Sequence, residues 1–375
     1  MLNIIYQLKY ADLSFEKLAV KSGVPKERLE LIASESQLPT MSDVRKLSKA
    51  LHLSIDFLLS NNNEYEEVKL LFRKSVKGQK DGPIVDRFSH IIGNSLSVLP
   101  KVKSSVDWAS RLSHNGDDYV SAEMLAFEFR NHFFHRDFAS PLISLPGLLS
   151  EQLNFIIYTV DLGPEVDGAS AVVNDIPFIF ISHRFPPRML FTLAHELGHI
   201  LAHHRVGENF AIFDKKISMG QANKMQEEFF SNTFASCLLL PAEGVGITLK
   251  KIREKFNING QLGDIEIIYL SRIYGVSFEV AAKRCEDLDL LPKGGGVSLY
   301  NELNKEYGSP EKRAEKIGVK SREDIVFPKV SPYLISSAIK KISSGELSLG
   351  KASEILSIPI EEILHFHSST RTSVH

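Results

Sequence analysis

Only two cysteines, Cys237 and Cys285, occur in this chain of 375 residues. They lie far apart, lack C-x-x-C spacing and fall within apolar helical patterns. That favours two buried thiols over a disulfide as the expectation. A dominant charge is missing too: 44 Lys and Arg stand against 46 Asp and Glu, a net of −2. Such a balance marks neither a nucleic-acid binder nor a membrane-surface protein. No segment approaches the roughly 18 uninterrupted apolar residues of a membrane span. Met1-Leu2-Asn3-Ile4-Ile5-Tyr6 has no basic stretch leading into a long apolar run, so a secretory leader is unsupported as well. The expected location is the cytoplasm, with no membrane partner. No internal repeat of fixed period stands out.

What is present is 43% hydrophobic residues, enough for a sizeable core spread over two or three domains. Residues 1–60 read as short amphipathic helices with tight punctuation: Ser14 as a cap, Ser22-Gly23-Val24-Pro25 as a turn, and Pro39 as a break. Ser60-Asn61-Asn62-Asn63-Glu64 is a polar linker. Residues 61–118 form a linker region with weak helical signals and no motif. From about 119 the pattern tightens. Ala122 to Phe134 is helical, Phe155 to Val160 is a strand, and 169–173, Asn174-Asp175 and 176–181 read as a hairpin. A helix from about Met225 to Leu240 ends at Pro241, and two more fill 247–291. Pro292-Lys293-Gly294-Gly295-Gly296 reads as a second linker, followed by a helical module at 297–366.

The chemistry concentrates in His195-Glu196-Leu197-Gly198-His199. Residues i and i+4 share one face of a helix, so both imidazoles can reach a single ion. Glu196 stands beside the first of them, where a carboxylate can take a proton from an activated water. The flanks are apolar, and Pro186-Pro187 suits the first turn of such a helix.

Two histidines leave a catalytic zinc one protein ligand short. The metzincin pattern fails, because Arg205 and Ala202 occupy its histidine and glycine positions. His203 continues the i+4 series but lies about 12 Å along the axis from His195, out of reach of an ion the first two bracket. His203 and His204 are expected to form a solvated helix end, favoured by the dipole. The remaining source is Gln226-Glu227-Glu228-Phe229-Phe230, two adjacent acids in an apolar helix. There Phe229, Phe230, Phe234, Leu238 and Leu239 are expected to face inward. A buried unpaired carboxylate is costly and zinc would relieve the cost, while at least one of the two acids faces solvent.

Arg188 to His199, reading R-M-L-F-T-L-A-H-E-L-G-H, together with E-F-F-S-N-T-F-A-S-C-L-L-L-P at 228–241, resembles the ImmA/IrrE family of zinc metallopeptidases. Asp167-Gly168-Ala169-Ser170 and the strand after it fit the same family. The resemblance covers roughly 119–291, within a peptidase domain bounded at 119–292. It implies a zincin-like domain with a small β-sheet, zinc as cofactor, His195 and His199 as ligands, and Glu196 as catalytic base. It further implies Glu228 as third ligand, since the family's glutamate stands four residues before the asparagine matched by Asn232. Asn232 then supports the site without binding metal. Ser231 departs conservatively from the family's usual alanine.

Residues 13–59 resemble the Xre/Cro-like helix-turn-helix family, from Leu18-Ala19 through Gly23-Val24 to Leu29, Ile32 and Pro39. The resemblance implies a five-helix domain whose second motif helix would offer Lys26 and Arg28 to DNA. Glu27 and Glu30 stand in the same stretch, and residues 1–60 hold eight Lys and Arg against seven Asp and Glu, a net of +1. That is a poor footprint for phosphate, and a module for recognising a protein partner or for dimerising is the alternative. Residues 345–364 resemble a further small helical pair.

The whole reads as an α+β chain, mostly helical. Its leading function is that of a zinc endopeptidase controlling gene expression by cleaving a protein, which family likeness suggests is a repressor or antitoxin. The alternative is a DNA-binding transcription regulator whose peptidase-like domain senses or docks without proteolysis.

Overall fold

The computed structural model describes residues 4, 8, 14–51, 55–59, 82–100, 112, 116–164, 166–204, 208–213 and 222–372. The expected polar linker at 60–64 lies outside them. Helices dominate, with one four-stranded mixed sheet, as an α+β chain requires. No helix among the described residues is long and apolar enough to cross a membrane. Contacts divide the chain into two compact units, one of 1–100 with 334–375 and one of 101–333. The boundary falls inside the 297–366 segment that the sequence grouped as one module.

In the first unit, α1 (Phe15–Ser22), α2 (Lys26–Ala33), α3 (Met41–Leu51) and α4 (Ile55–Leu59) surround Leu18, Val24, Leu29, Ile32, Val44, Leu47 and Leu58. Residues 4 and 8 are helical as well. The Ser14 hydroxyl accepts from the Lys17 amide at the start of α1. Gly23, at φ 68°, closes α1 in a left-handed conformation that costs glycine little. Residues that gave only weak helical signals form α5 (Gly82–Val98), which buries Val85, Phe88 and Ile92.

The second unit begins with α6 (Tyr119–Phe133), capped by Asp118 on the Ser121 amide. The sheet follows: β1 (Ile156–Val160), β2 (Gly168–Val173), β3 (Ile176–Ser182) and β4 (Phe210–Phe213), in the order β1-β3-β2-β4. Strands β2 and β3 form the expected hairpin, and Asn174 and Asp175 both take positive φ, as a two-residue type I′ turn demands. β3 is parallel to β1 on one side and antiparallel to β2 on the other. β3 is thus paired on both sides, and among the described residues the edge strands of this sheet are β1 and β4.

Next come α7 (Pro186–His203) and α8 (Ala222–Leu239), then α9 (Ala242–Phe256), α10 (Asp264–Tyr274), α11 (Phe278–Asp287), α12 (Gly295–Tyr307) and α13 (Pro310–Lys316). Three helices rather than two fill the stretch after Pro241, because Asn257 and Gly275 each stop a helix at positive φ. The glycine run expected as a linker is instead a tight joint. α12 starts at Gly295, the Gly296 amide donates to Glu286, and a Cβ at Gly296 would stand 2.8 Å from that of Ala282. Apolar side chains from α6 through α13 and the sheet share one core. Cys237 and Cys285 are both buried free thiols, as expected.

The chain closes with α14 (Pro332–Ser343), α15 (Leu349–Leu356) and α16 (Ile360–Thr372). Ser348 caps α15, and Ser357 at φ 54° breaks it before Pro359. Lys341 donates to the Ser97 carbonyl at 2.9 Å, so this segment bonds to the end of α5 within its own unit.

Candidate metal centre

Helix α7 is buried almost throughout from Met189 to Leu201, so the histidines and the glutamate of its motif are held in an apolar setting. His195 is 6% exposed, and Glu196 and His199 are fully covered. Their partner is α8. Gly198 is where the two helices meet: a Cβ there would stand 2.9 Å from the Phe234 ring and 3.3 Å from the Ser231 Cα. Only a residue without a side chain lets α8 come this near.

The approach brings Glu228 to the histidines. Its Oε2 lies 3.4 Å from His195 Nε2 and its Oε1 lies 3.8 Å from His199 Nε2. The two Nε2 atoms are 3.0 Å apart. One ligand atom from each of His195, His199 and Glu228 lies within 4.8 Å of the others, a group that could hold a metal ion.

Tautomers explain why a cation fits. Asn232 sets its amide oxygen 3.1 Å from His195 Nδ1, which must donate to it and so leaves a lone pair on Nε2. His199 Nδ1 lies 3.3 Å from His203 Nδ1. With the proton on His199 in that contact, its Nε2 also carries a lone pair. Two imidazole lone pairs and a carboxylate then converge on one point. Ligand nitrogens of a tetrahedral zinc stand about 3.3 Å apart, close to the separation found here.

Glu196 faces β2. A Cβ on Gly168 would come within 2.5 Å of Glu196 Oε1 and 2.6 Å of Thr192 Cγ2, so the bare backbone of that strand shapes the space around the carboxylate. The strand's entry is anchored from the side: Arg184 donates to Asp167 Oδ1 at 3.1 Å, and Arg188 Nε to Asp167 Oδ2 at 3.0 Å. The Ser182 amide donates to the Asp167 carbonyl.

Of the two adjacent acids, Glu228 is the one turned to the histidines. Phe230, Phe234, Leu238 and Leu239 are buried as expected, but Phe229 is 52% exposed, because the tight α7 contact takes the face carrying Phe230 and Phe234. The solvated end expected of His203 and His204 is not found. His203 sits between His199 and the Phe230 ring. His204 packs near Phe210 and meets the Glu208 carbonyl at 3.1 Å; burial lowers its pKa, and that hydrogen bond partly offsets the shift. Sequence reasoning missed Gly168, Gly198 and His203 as shapers of the site. The i+4 spacing of His195, His199 and His203 was the available signal for the last.

The residues proposed for DNA lie in the other unit and are engaged within it. Arg28 donates to Asp43, to Gln37 and to the Leu38 carbonyl, and Lys26 pairs with Glu16. Tyr158 is buried on β1 against Phe180 and bridged to Val330.

Residues 151–286 match the family model Peptidase_M78, described as the IrrE N-terminal-like domain. The matched stretch contains His195, Glu196, His199, Glu228 and Asn232, and agrees with the family likeness carried by the α7 and α8 sequences. No curated protein matches the chain.

Proposed function

We propose that the chain is a zinc-dependent endopeptidase that acts in the cytoplasm on a regulatory protein, a repressor or antitoxin, and so controls gene expression. The observation that carries this reading is the convergence of His195, His199 and Glu228 beside a buried Glu196. A zinc ion held by those three would supply Lewis acidity, drawing charge from a peptide carbonyl oxygen and making a water a better acid. Glu196 accepts the proton of the attacking water and passes it to the departing amine. Asn232 and His203 hold the two imidazoles in the tautomers that keep both Nε2 lone pairs directed inward. Gly168, lacking a side chain, leaves the space that the Glu196 carboxylate occupies against β2.

The alternative, a DNA-binding helix-turn-helix regulator with a non-catalytic peptidase-like domain, is less well supported. Arg28 and Lys26 would have to break bonds within their own unit to reach phosphates. A protein-recognising or dimerising role for residues 1–60 suits these pairings better.

The test is metal content beside cleavage. Purified protein should carry about one zinc per chain, and His195→Ala should lose it. Glu196→Gln should keep zinc and fold, abolish cleavage and trap the substrate in cells. Undiminished zinc in His195→Ala sinks the ligand set, and continued cleavage by Glu196→Gln removes the base. Unchanged gene regulation in a Glu196→Gln strain would favour the non-catalytic alternative.

A further inference from the structure

Arg188 stands on the metal-facing side of α7. Positions i, i+7 and i+11 of a helix fall within about 40° of one another, so Arg188, His195 and His199 share one stripe. Along it the side chains emerge from cover: that of His199 is 0% exposed, that of His195 8% and that of Arg188 56%. The stripe that carries both imidazoles therefore reaches solvent at Arg188, two turns before His195 and about 10 Å along the axis. A peptide reaching the metal group from that end runs past its guanidinium.

The neighbouring strand marks the same place. Arg188 Nε donates to Asp167 Oδ2 at 3.0 Å. The next residue, Gly168, is the one whose missing Cβ leaves space for Glu196 and Thr192. Arg188 is thus tied one residue away from the backbone that borders the base.

The charge at this corner is unbalanced. Asp167 serves two arginines, Arg184 through Oδ1 at 3.1 Å and Arg188 through Oδ2. Arg184 is 24% exposed and directs its other N–H groups to the Gly163, Val166 and His183 carbonyls. The other described acid of this loop, Asp161, accepts from the Gly163 amide on the Arg184 side. Arg188 bonds only to Asp167 among the described residues, which leaves its Nη1 open to a further acceptor. A planar guanidinium with a free N–H edge, sharing its counter-charge with a second cation, suits another carboxylate.

Resting on the endopeptidase reading above, we infer that Arg188 selects the substrate: it binds a carboxylate about three extended residues from the bond presented to His195, His199 and Glu228. That carboxylate is an Asp or Glu side chain or a chain terminus. The test uses the full zinc-loaded chain carrying Glu196→Gln, which holds peptides without cutting them. N-acetylated degenerate peptides, as C-terminal amides or as free acids, are passed over it and the retained ones sequenced. The retained amides should be enriched in Asp and Glu over Asn and Gln by about threefold or more, the scale of a partly exposed ion pair, and the enrichment should fade at high salt. Enrichment confined to the free acids assigns the site to a chain terminus. Adding Arg188→Gln, whose amide still donates to Asp167, should erase the preference while total peptide and zinc are kept; Arg188→Lys should preserve part of it. A pool without acidic preference, no retained pool, or a preference surviving Arg188→Gln would each overturn the assignment. So would an equal loss of every peptide in that variant, the mark of an anchor for Asp167 alone. Cleavage by the wild-type chain is scored separately: acid-selective binding without cleavage removes the endopeptidase reading, and cleavage without acid selection removes only the role of Arg188.

Discussion

Gly198 and Phe234 meet with no room for a side chain between them: a Cβ on the glycine would stand 2.9 Å from the ring. Gly168 is under a similar constraint but against a different partner, with Glu196 at 2.5 Å and Thr192 at 2.6 Å from the added carbon. The two glycines should therefore separate binding from chemistry. Gly198→Ala forces α8 back and carries Glu228 away from the histidines, weakening zinc about tenfold in a competition titration. Gly168→Ala displaces only the base, keeping zinc while slowing cleavage by on the order of 100-fold, since small misplacements of a reacting group are expensive. Equal loss of metal in both variants would contradict the division.

Asn232 and His203 hold the outward nitrogens of His195 and His199 at 3.1 and 3.3 Å. Removing either, as Asn232→Ala or His203→Ala, should lower zinc affinity by about 10–100-fold, the usual effect of losing a group that orients a ligand. Chelator competition measures it. Full affinity in His203→Ala would return that residue to the role of a plain helix end.

Arg28 acts as a staple inside its own unit. Its side chain is 22% exposed and that of Asp43 14%, with the ion pair at 3.0 Å and a further bond to the Leu38 carbonyl at 2.9 Å. Arg28→Ala should destabilise the N-terminal helices by about 1–3 kcal/mol in denaturant melts. If it instead leaves stability intact and abolishes DNA binding, the arginine serves phosphates rather than Asp43.

His90 on α5 sets a pH dependence. Burial lowers it from 6.5 to about 4, so the folded chain stays unprotonated where the unfolded chain takes up a proton. Stability from this group is fully present above pH 6.5 and declines as the pH falls from about 6.5 to about 4. Urea melts at stepped pH should show that decline, and His90→Gln should flatten it. A decline unchanged in the variant assigns the effect to other groups.

Local chemistry made much of this legible. The proline pair, the apolar flanks and the i+4 histidines marked α7. Asn174-Asp175 marked the hairpin turn, and Pro241 the end of α8. What remained hidden depends on distant parts of the chain. The exposure of Phe229 follows from which face of α8 meets α7, and no local period reports that. The apolar run of β3 does not say which strands flank it, so its central place between β1 and β2 was not legible locally. The glycines at 294–296 read as a linker, yet Gly296 is confined by Ala282 on the preceding helix, a packing contact that composition does not report. His203 lies too far along α7 to reach an ion held by His195 and His199, yet the same i+4 spacing sets it against His199.

The proposed ligands His195 and His199 lie on α7 and the third, Glu228, lies on α8, with β4 in the stretch between. An ion joining them would close that stretch into a loop, as a disulfide closes one, in a chain whose two thiols stay apart. Catalytic metal and architectural cross-link would then be one object, and losing it would loosen an edge of the sheet together with the reaction centre.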